Sequence, residues 1–93
     1  MKVEYTLNNE QYKEILGLAY WIADLHYIRE RHGADDPECE VCRKTIDFIF
    51  TELDRLNVPF WVQNTVICWA ENWRNYADNH TIDFLKTRNI FVA

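Results

Sequence analysis

Cys39 and Cys42 are the two residues of this chain whose types and spacing could do chemistry. Two thiolates separated by two residues at the start of a helix can bind one Zn²⁺, which also accepts imidazole nitrogens. His32 lies at the end of the preceding predicted helix and could supply a third ligand. His26 is less favourable, because it lies further back on that helix, by roughly 9 Å along the axis. One alternative is therefore a single zinc ion held by His32, Cys39 and Cys42.

The same Cys-x-x-Cys pair could instead form a thiol switch, because a helix N-terminus lowers the pKa of a thiol. Nearby carboxylates raise that pKa, and here they are Asp35, Asp36, Glu38 and Glu40. A third interpretation is structural. The two cysteines begin an apolar stripe at helical spacing that continues through Ile46, Ile49, Leu53 and Leu56. This stripe favours two buried thiols in the core over either kind of chemistry.

Aromatic side chains are abundant, with four Trp, five Tyr and five Phe in 93 residues. Four of them are concentrated in the third predicted helix, namely Trp61, Trp69, Trp73 and Tyr76. Trp and Tyr are typical anchors of protein interfaces. More apolar faces are present than a three-helix bundle can hide, and the surplus comprises Leu16, Tyr20, Tyr27, Phe48, Phe60, Trp61 and Ile67. This surplus predicts a surface for a partner protein or for a second copy of the chain, with the four aromatic residues of the third helix as candidate contacts.

The charge of the chain narrows the class of partner. The formal net charge is −5, with 10 basic against 15 acidic residues. Binding to nucleic acid or to an anionic membrane needs clustered Lys and Arg, so we expect neither, and a basic protein is the better electrostatic match. No apolar run approaches the roughly 20 residues of a membrane span. An odd number of cysteines and the lack of an N-terminal signal segment favour the cytoplasm.

Signatures of catalysis are missing from the sequence. It contains no glycine-rich phosphate loop and no HExxH metal motif, and no recognisable Ser/His/Asp arrangement. Cys68 has no neighbouring base in the sequence that would activate its thiol, so packing is its expected role. We therefore expect a protein that is not an enzyme.

Helical signals dominate the local sequence, and only two Gly and two Pro interrupt them. Asn8 followed by Gln11 is typical of a capping box, Gly33 of a helix end, and Asp36-Pro37 of a helix start. We predict helices over about 9–32, 37–56, 59–76 and 82–86.

The apolar positions of the first three predicted helices recur at spacings of three and four residues, which is typical of a helical bundle. The predicted fold is thus mainly all-α: one domain over residues 1–93, built as a compact antiparallel three-helix bundle with a short C-terminal helix. Val3 to Leu7 and Ile90 to Val92 could pair as a small terminal sheet.

These features predict a small acidic binding or regulatory module that docks an aromatic, acid-rimmed surface on a larger protein. By analogy alone, its size and acidity are typical of accessory or phage-type inhibitors. Two alternatives stay open: a zinc-stapled or thiol-switch regulator centred on Cys39 and Cys42, and a homo-oligomeric structural protein.

Overall fold

A computed structural model describes residues 3–77 and 80–93. In chain order the elements are β1 (Tyr5–Leu7), α1 (Asn9–His32), α2 (Pro37–Arg55), α3 (Phe60–Ala70), α4 (Trp73–Ala77), α5 (Thr81–Thr87) and β2 (Ile90–Val92). The predicted, mainly all-α architecture is confirmed. Helix α1 is the central element, since α2, α3 and α4 all pack against it.

Helix α1 begins and ends where local sequence signals predict. The Asn8 side chain accepts a hydrogen bond from the Gln11 backbone at 2.8 Å, and the Gln11 side chain accepts one from the Asn8 backbone at 2.9 Å. This is the predicted capping box. Gly33 ends the helix with a positive φ of 92°, a conformation that glycine adopts without strain.

Helix α2 presents the predicted apolar stripe to α1. Asp36 caps its first turn by accepting a hydrogen bond from the Glu38 backbone at 2.8 Å. Five stripe residues are buried, namely Cys39, Cys42, Ile46, Ile49 and Leu53, and Leu56 is half-buried. The stripe is therefore a core face, as the spacing predicts.

The third predicted helix differs from the structure, because it is divided into α3 and α4 around Glu71 and Asn72. The side-chain oxygen of Asn72 accepts a hydrogen bond from the Arg74 backbone at 3.3 Å, while the Asn75 side chain donates one to the carbonyl of Trp69 at 2.9 Å. Asparagine side chains compete in this way with the helical ladder. Beyond the interruption, Trp73 and Tyr76 of α4 lie against α1.

The termini pair as a two-stranded parallel sheet, in the register Tyr5–Ile90, Thr6–Phe91 and Leu7–Val92. The predicted pairing of the terminal segments is therefore confirmed. Leu7 and Ile90 are fully buried and belong to the same core cluster as α1 and α2. Packing beneath the sheet supplies the stability that two strands alone would lack. Within residues 3–77 and 80–93, no helix is both long and apolar enough to cross a membrane.

Candidate functional site

The four aromatic residues predicted as partner contacts are all half-buried, but they lie in different places. Trp61 packs against the hydrophobic core. Trp69 stacks face to face on Phe84 of α5, with ring centroids 4.8 Å apart and an interplanar angle of 9°. These two rings are therefore engaged in holding the fold together.

Trp73 and Tyr76 lie instead against two tyrosines of α1. The rings of Trp73 and Tyr27 meet edge to face at 5.0 Å, and those of Tyr76 and Tyr20 at 6.0 Å. Tyr20 and Tyr27 remain 47% and 38% exposed. Between the two ring pairs is an apolar depression of about 140 Å³, which we call the aromatic slot. Its lining residues are Tyr20, Ala23, Asp24, Tyr27, Trp73 and Tyr76.

The sequence of α1 explains why the slot is concave. Tyr20, Asp24 and Tyr27 are separated by four and three residues, and such positions share one face of a helix. Ala23, which is buried, places only a methyl group between them. A larger residue there would fill the floor of the slot.

A polar cluster braces Trp73 at the rim. Its indole nitrogen donates a hydrogen bond to the Glu30 carboxylate, which also pairs with the Arg74 guanidinium at 3.1 Å. The hydrogen bonds from Trp73 and Arg74 lower the pKa of Glu30. The guanidinium of Arg74 lies 4.3 Å from the Trp73 ring centroid, and that of Arg31 lies 5.4 Å from the Tyr27 centroid. The immediate rim therefore carries charges of both signs.

Asp24 is the only charged side chain among the six residues of the slot. Its carboxylate accepts a hydrogen bond from the Cys42 thiol, with 3.7 Å between sulfur and oxygen. In the part of the chain that the structure describes, no Lys, Arg or His forms an ion pair with it. Tyr20 and Tyr27 are predicted only within the surplus of apolar residues that indicates a partner surface, and Asp24 is not among the predicted residues. The shared helical face of these three residues was a signal that could have placed them together.

The predicted thiol pair lies in the core beneath the loop between α1 and α2. Cys39 and Cys42 are both buried, and the Cys39 thiol donates a hydrogen bond to the Gly33 carbonyl at 3.7 Å. Burial, followed by the charge of Asp24, raises the pKa of the Cys42 thiol to about 11. Since the thiolate is the nucleophile, this environment disfavours nucleophilic chemistry at Cys42 at neutral pH.

The predicted zinc ligands are not brought together as a set. His32 is exposed at the end of α1, whereas His26 is half-buried and lines a different cleft. Among the described residues, no group of three or more His, Cys, Asp or Glu side chains is placed to hold a metal ion. The zinc site remains a prediction from the sequence.

A larger cleft of about 820 Å³ lies between the end of α1 and the turn that separates α3 from α4. Its polar lining includes His26, Arg29, Glu30, Cys68, Glu71 and Arg74. The lining contains both acidic and basic side chains, without a single dominant sign of charge. The Cys68 thiol makes a weak contact with the Asn64 side chain at 4.0 Å, and an asparagine amide is not a base that could activate it.

Comparison of the chain with known protein families, with curated proteins and with solved structures finds no match in any of the three.

Proposed function

We propose that this chain is a non-enzymatic binding module that docks the aromatic slot and the surrounding face of α1 and α4 on a larger protein. The observation that carries the proposal is the partial exposure of Tyr20 and Tyr27 beside a concave apolar depression. Interface anchors are typically Tyr and Trp side chains grouped around such a depression.

Pre-organisation of the rings supports the proposal. Trp73 is held by its hydrogen bond to Glu30, and Tyr20 and Tyr27 are each packed edge to face against a ring of α4. Side chains that are already ordered lose little conformational entropy when a partner covers them, so more of the contact energy appears as affinity. Trp73 and Tyr76 therefore remain candidate contacts, while Trp61 and Trp69 contribute to internal packing.

The charge of the chain supports a partner with a basic surface. A net charge of −5 attracts a cationic surface over distances of about a Debye length and speeds the encounter. In this proposal the aromatic face then provides the lasting contact, as expected for a regulatory or inhibitory module. The three free thiols favour a reducing compartment such as the cytoplasm.

The test is a comparative capture experiment on extracts of the source cells. The native chain, a Tyr20→Ser/Tyr27→Ser variant and a Phe48→Ser/Phe60→Ser control are immobilised in turn. The control replaces two rings that are 65% and 74% exposed but lie outside the slot. We expect a protein that the native chain and the control retain and that the slot variant loses.

Circular dichroism must show that both variants fold before their capture profiles are compared. Identical retention by all three proteins would contradict the proposed docking face. Purified partner and isothermal calorimetry would then give the loss of affinity for the slot variant, which we expect to reach about tenfold or more, since two interface anchors are removed.

A homo-oligomer is a second candidate, favoured by the exposure of Phe48 and Phe60 on α2 and α3. Native mass spectrometry over a range of concentrations separates the two, because self-association depends on concentration. A dimer that dissociates in the Phe48→Ser/Phe60→Ser variant would support this candidate. The same spectra, recorded before and after a chelator, test the zinc alternative through the mass of one bound ion.

A further inference from the structure

We propose that the aromatic slot receives one phenyl ring, presented as a phenylalanine side chain by the docked partner. This inference rests on the proposed function, because the slot is the centre of the proposed docking face. It adds the chemistry of the side chain that the slot accepts.

The carboxylates of Asp24 and Glu30 supply the first part of the argument, because both are already engaged within the chain. Asp24 accepts a hydrogen bond from the Cys42 thiol, with 3.7 Å between sulfur and oxygen. Glu30, at the rim, accepts a hydrogen bond from the Trp73 indole nitrogen and pairs with the Arg74 guanidinium at 3.1 Å. A cationic occupant would have to displace these contacts to reach either carboxylate.

The guanidinium groups at the rim supply the second part. That of Arg74 lies 4.3 Å from the centroid of the Trp73 ring, and that of Arg31 lies 5.4 Å from the centroid of the Tyr27 ring. Both distances are within the range of a cation–π contact. The charges described at the slot are therefore complemented by groups of the chain itself. A neutral occupant fits them best, since burying a further charge without a partner is unfavourable.

The lining and the volume of the slot supply the third part. The surface that the slot presents is almost entirely apolar, so an apolar group gains by leaving water there, whereas a polar group would lose its hydrogen bonds to water. The volume of about 140 Å³ is close to that of an apolar cavity of about 150 Å³ that holds one benzene molecule. Four of the six lining residues are aromatic, and contacts between rings add to the effect of apolar burial. A phenyl ring is therefore favoured over an aliphatic side chain.

The test is a titration of the isotopically labelled full chain with the blocked tripeptide Gly-Phe-Gly at constant ionic strength, followed by NMR. We expect saturable shifts confined to the residues of the slot and their neighbours, with a midpoint on the order of 10 mM, because a single side chain is covered. The Gly-Leu-Gly peptide should bind about threefold more weakly, since it makes no contacts between rings. The Gly-Arg-Gly peptide should give no saturable shifts in the slot.

Two variants with the same change of side chain make the test specific. Ala23→Leu places a larger apolar group on the floor of the slot and should abolish binding of Gly-Phe-Gly. Ala34→Leu, at an exposed position between α1 and α2 and outside the slot, should leave binding unchanged. Because Ala23 is buried, a second variant guards against misfolding. Tyr20→Ser/Tyr27→Ser removes two partly exposed rings of the slot and should weaken binding about fivefold or more.

Absence of saturable shifts in the slot, equal or tighter binding of Gly-Leu-Gly or Gly-Arg-Gly, or unchanged binding in the folded slot variants would overturn this proposal. Its failure is distinct from failure of the proposed function. If Gly-Phe-Gly does not bind but capture of a partner still depends on Tyr20 and Tyr27, the docking face stands without the phenylalanine. If Gly-Phe-Gly binds but capture ignores both tyrosines, the phenyl site stands and the docking function does not.

Discussion

Replacing Cys42 by serine should remove a specific loss of stability at alkaline pH. Burial and the neighbouring Asp24 raise the pKa of this thiol from 9.0 to about 11. The folded protein thus holds the thiol proton more tightly than the unfolded chain does. The resulting stability is fully present below about pH 9 and is lost as the pH rises through about 11.

The size of the effect follows from the shift. Two pKa units correspond to about 2.7 kcal/mol once the thiol is deprotonated in both states. At pH 10 the expected loss is about 1 to 1.5 kcal/mol, since the thiol is then charged mainly in the unfolded chain. Tyr12, whose pKa is also raised by burial, adds its own alkaline loss to every variant. The contribution of Cys42 is therefore the difference in stability between the native protein and the Cys42→Ser variant at each pH.

Urea unfolding under reducing conditions, between about pH 7 and pH 10, measures this difference. We expect the advantage of the native protein over Cys42→Ser to shrink by the stated amount as the pH rises. A Cys68→Ser variant is the matched control, because the Cys68 thiol is exposed. A native-minus-variant difference for Cys42→Ser that stays constant over this range would refute the reasoning, because the thiol would then titrate alike in both states.

The same shift predicts slow chemistry at this thiol. At neutral pH a pKa of about 11 leaves roughly 100-fold less thiolate than the ordinary value does. Alkylation should therefore reach Cys68 well before Cys42. Equal rates in the folded protein would contradict the structure and would strengthen the thiol-switch alternative.

Three further predictions concern stability and are measured by urea unfolding at neutral pH. Gly17→Ala should stabilise the protein by about 0.5 to 1 kcal/mol, because alanine favours the helix and the new methyl group would lie in ordinary contact with Ile49, at 3.5 Å. A loss of stability would mean that α1 and α2 pack more tightly at this point than the structure shows. Ile90→Ala should lower the free energy of unfolding by about 2 to 4 kcal/mol, since this strand residue is fully buried. A negligible change would mean that β2 does not pack on the core. Gln11→Ala should cost about 2 to 3 kcal/mol, because the Gln11 side chain completes the cap and donates to the Leu56 carbonyl at 2.9 Å; a cost below about 0.5 kcal/mol would mean that water replaces those bonds.

The limits of α1 and α2 could be predicted because their causes are local. Asn8 and Gln11 form a cap within one turn, and Gly33 and Asp36 act on the backbone next to them. The buried face of α2 follows equally from the spacing of its apolar residues. Each of these features depends on residues that are near one another in the sequence.

The division between α3 and α4 could not be predicted from periodicity. The apolar spacing of Val62, Val66, Trp69, Trp73 and Tyr76 runs through it without a break. At the interruption, the Asn72 side chain accepts a hydrogen bond from the Arg74 backbone and the Asn75 side chain donates one to the Trp69 carbonyl, while the final turn packs edge to face on α1. Tertiary packing overrides a continuous pattern when it offers better contacts.

The sequence by itself determined that this protein is helical, acidic and richer in aromatic residues than its core requires. Composition and local spacing are sufficient for those conclusions, because they concern totals and nearest neighbours. Only the tertiary structure decided which aromatic residues stay uncovered and that Tyr20 meets Tyr76 and Tyr27 meets Trp73. The physical reason is that a surplus of apolar area does not specify its own location. The slot exists because α4, far along the chain, packs beside one exposed face of α1.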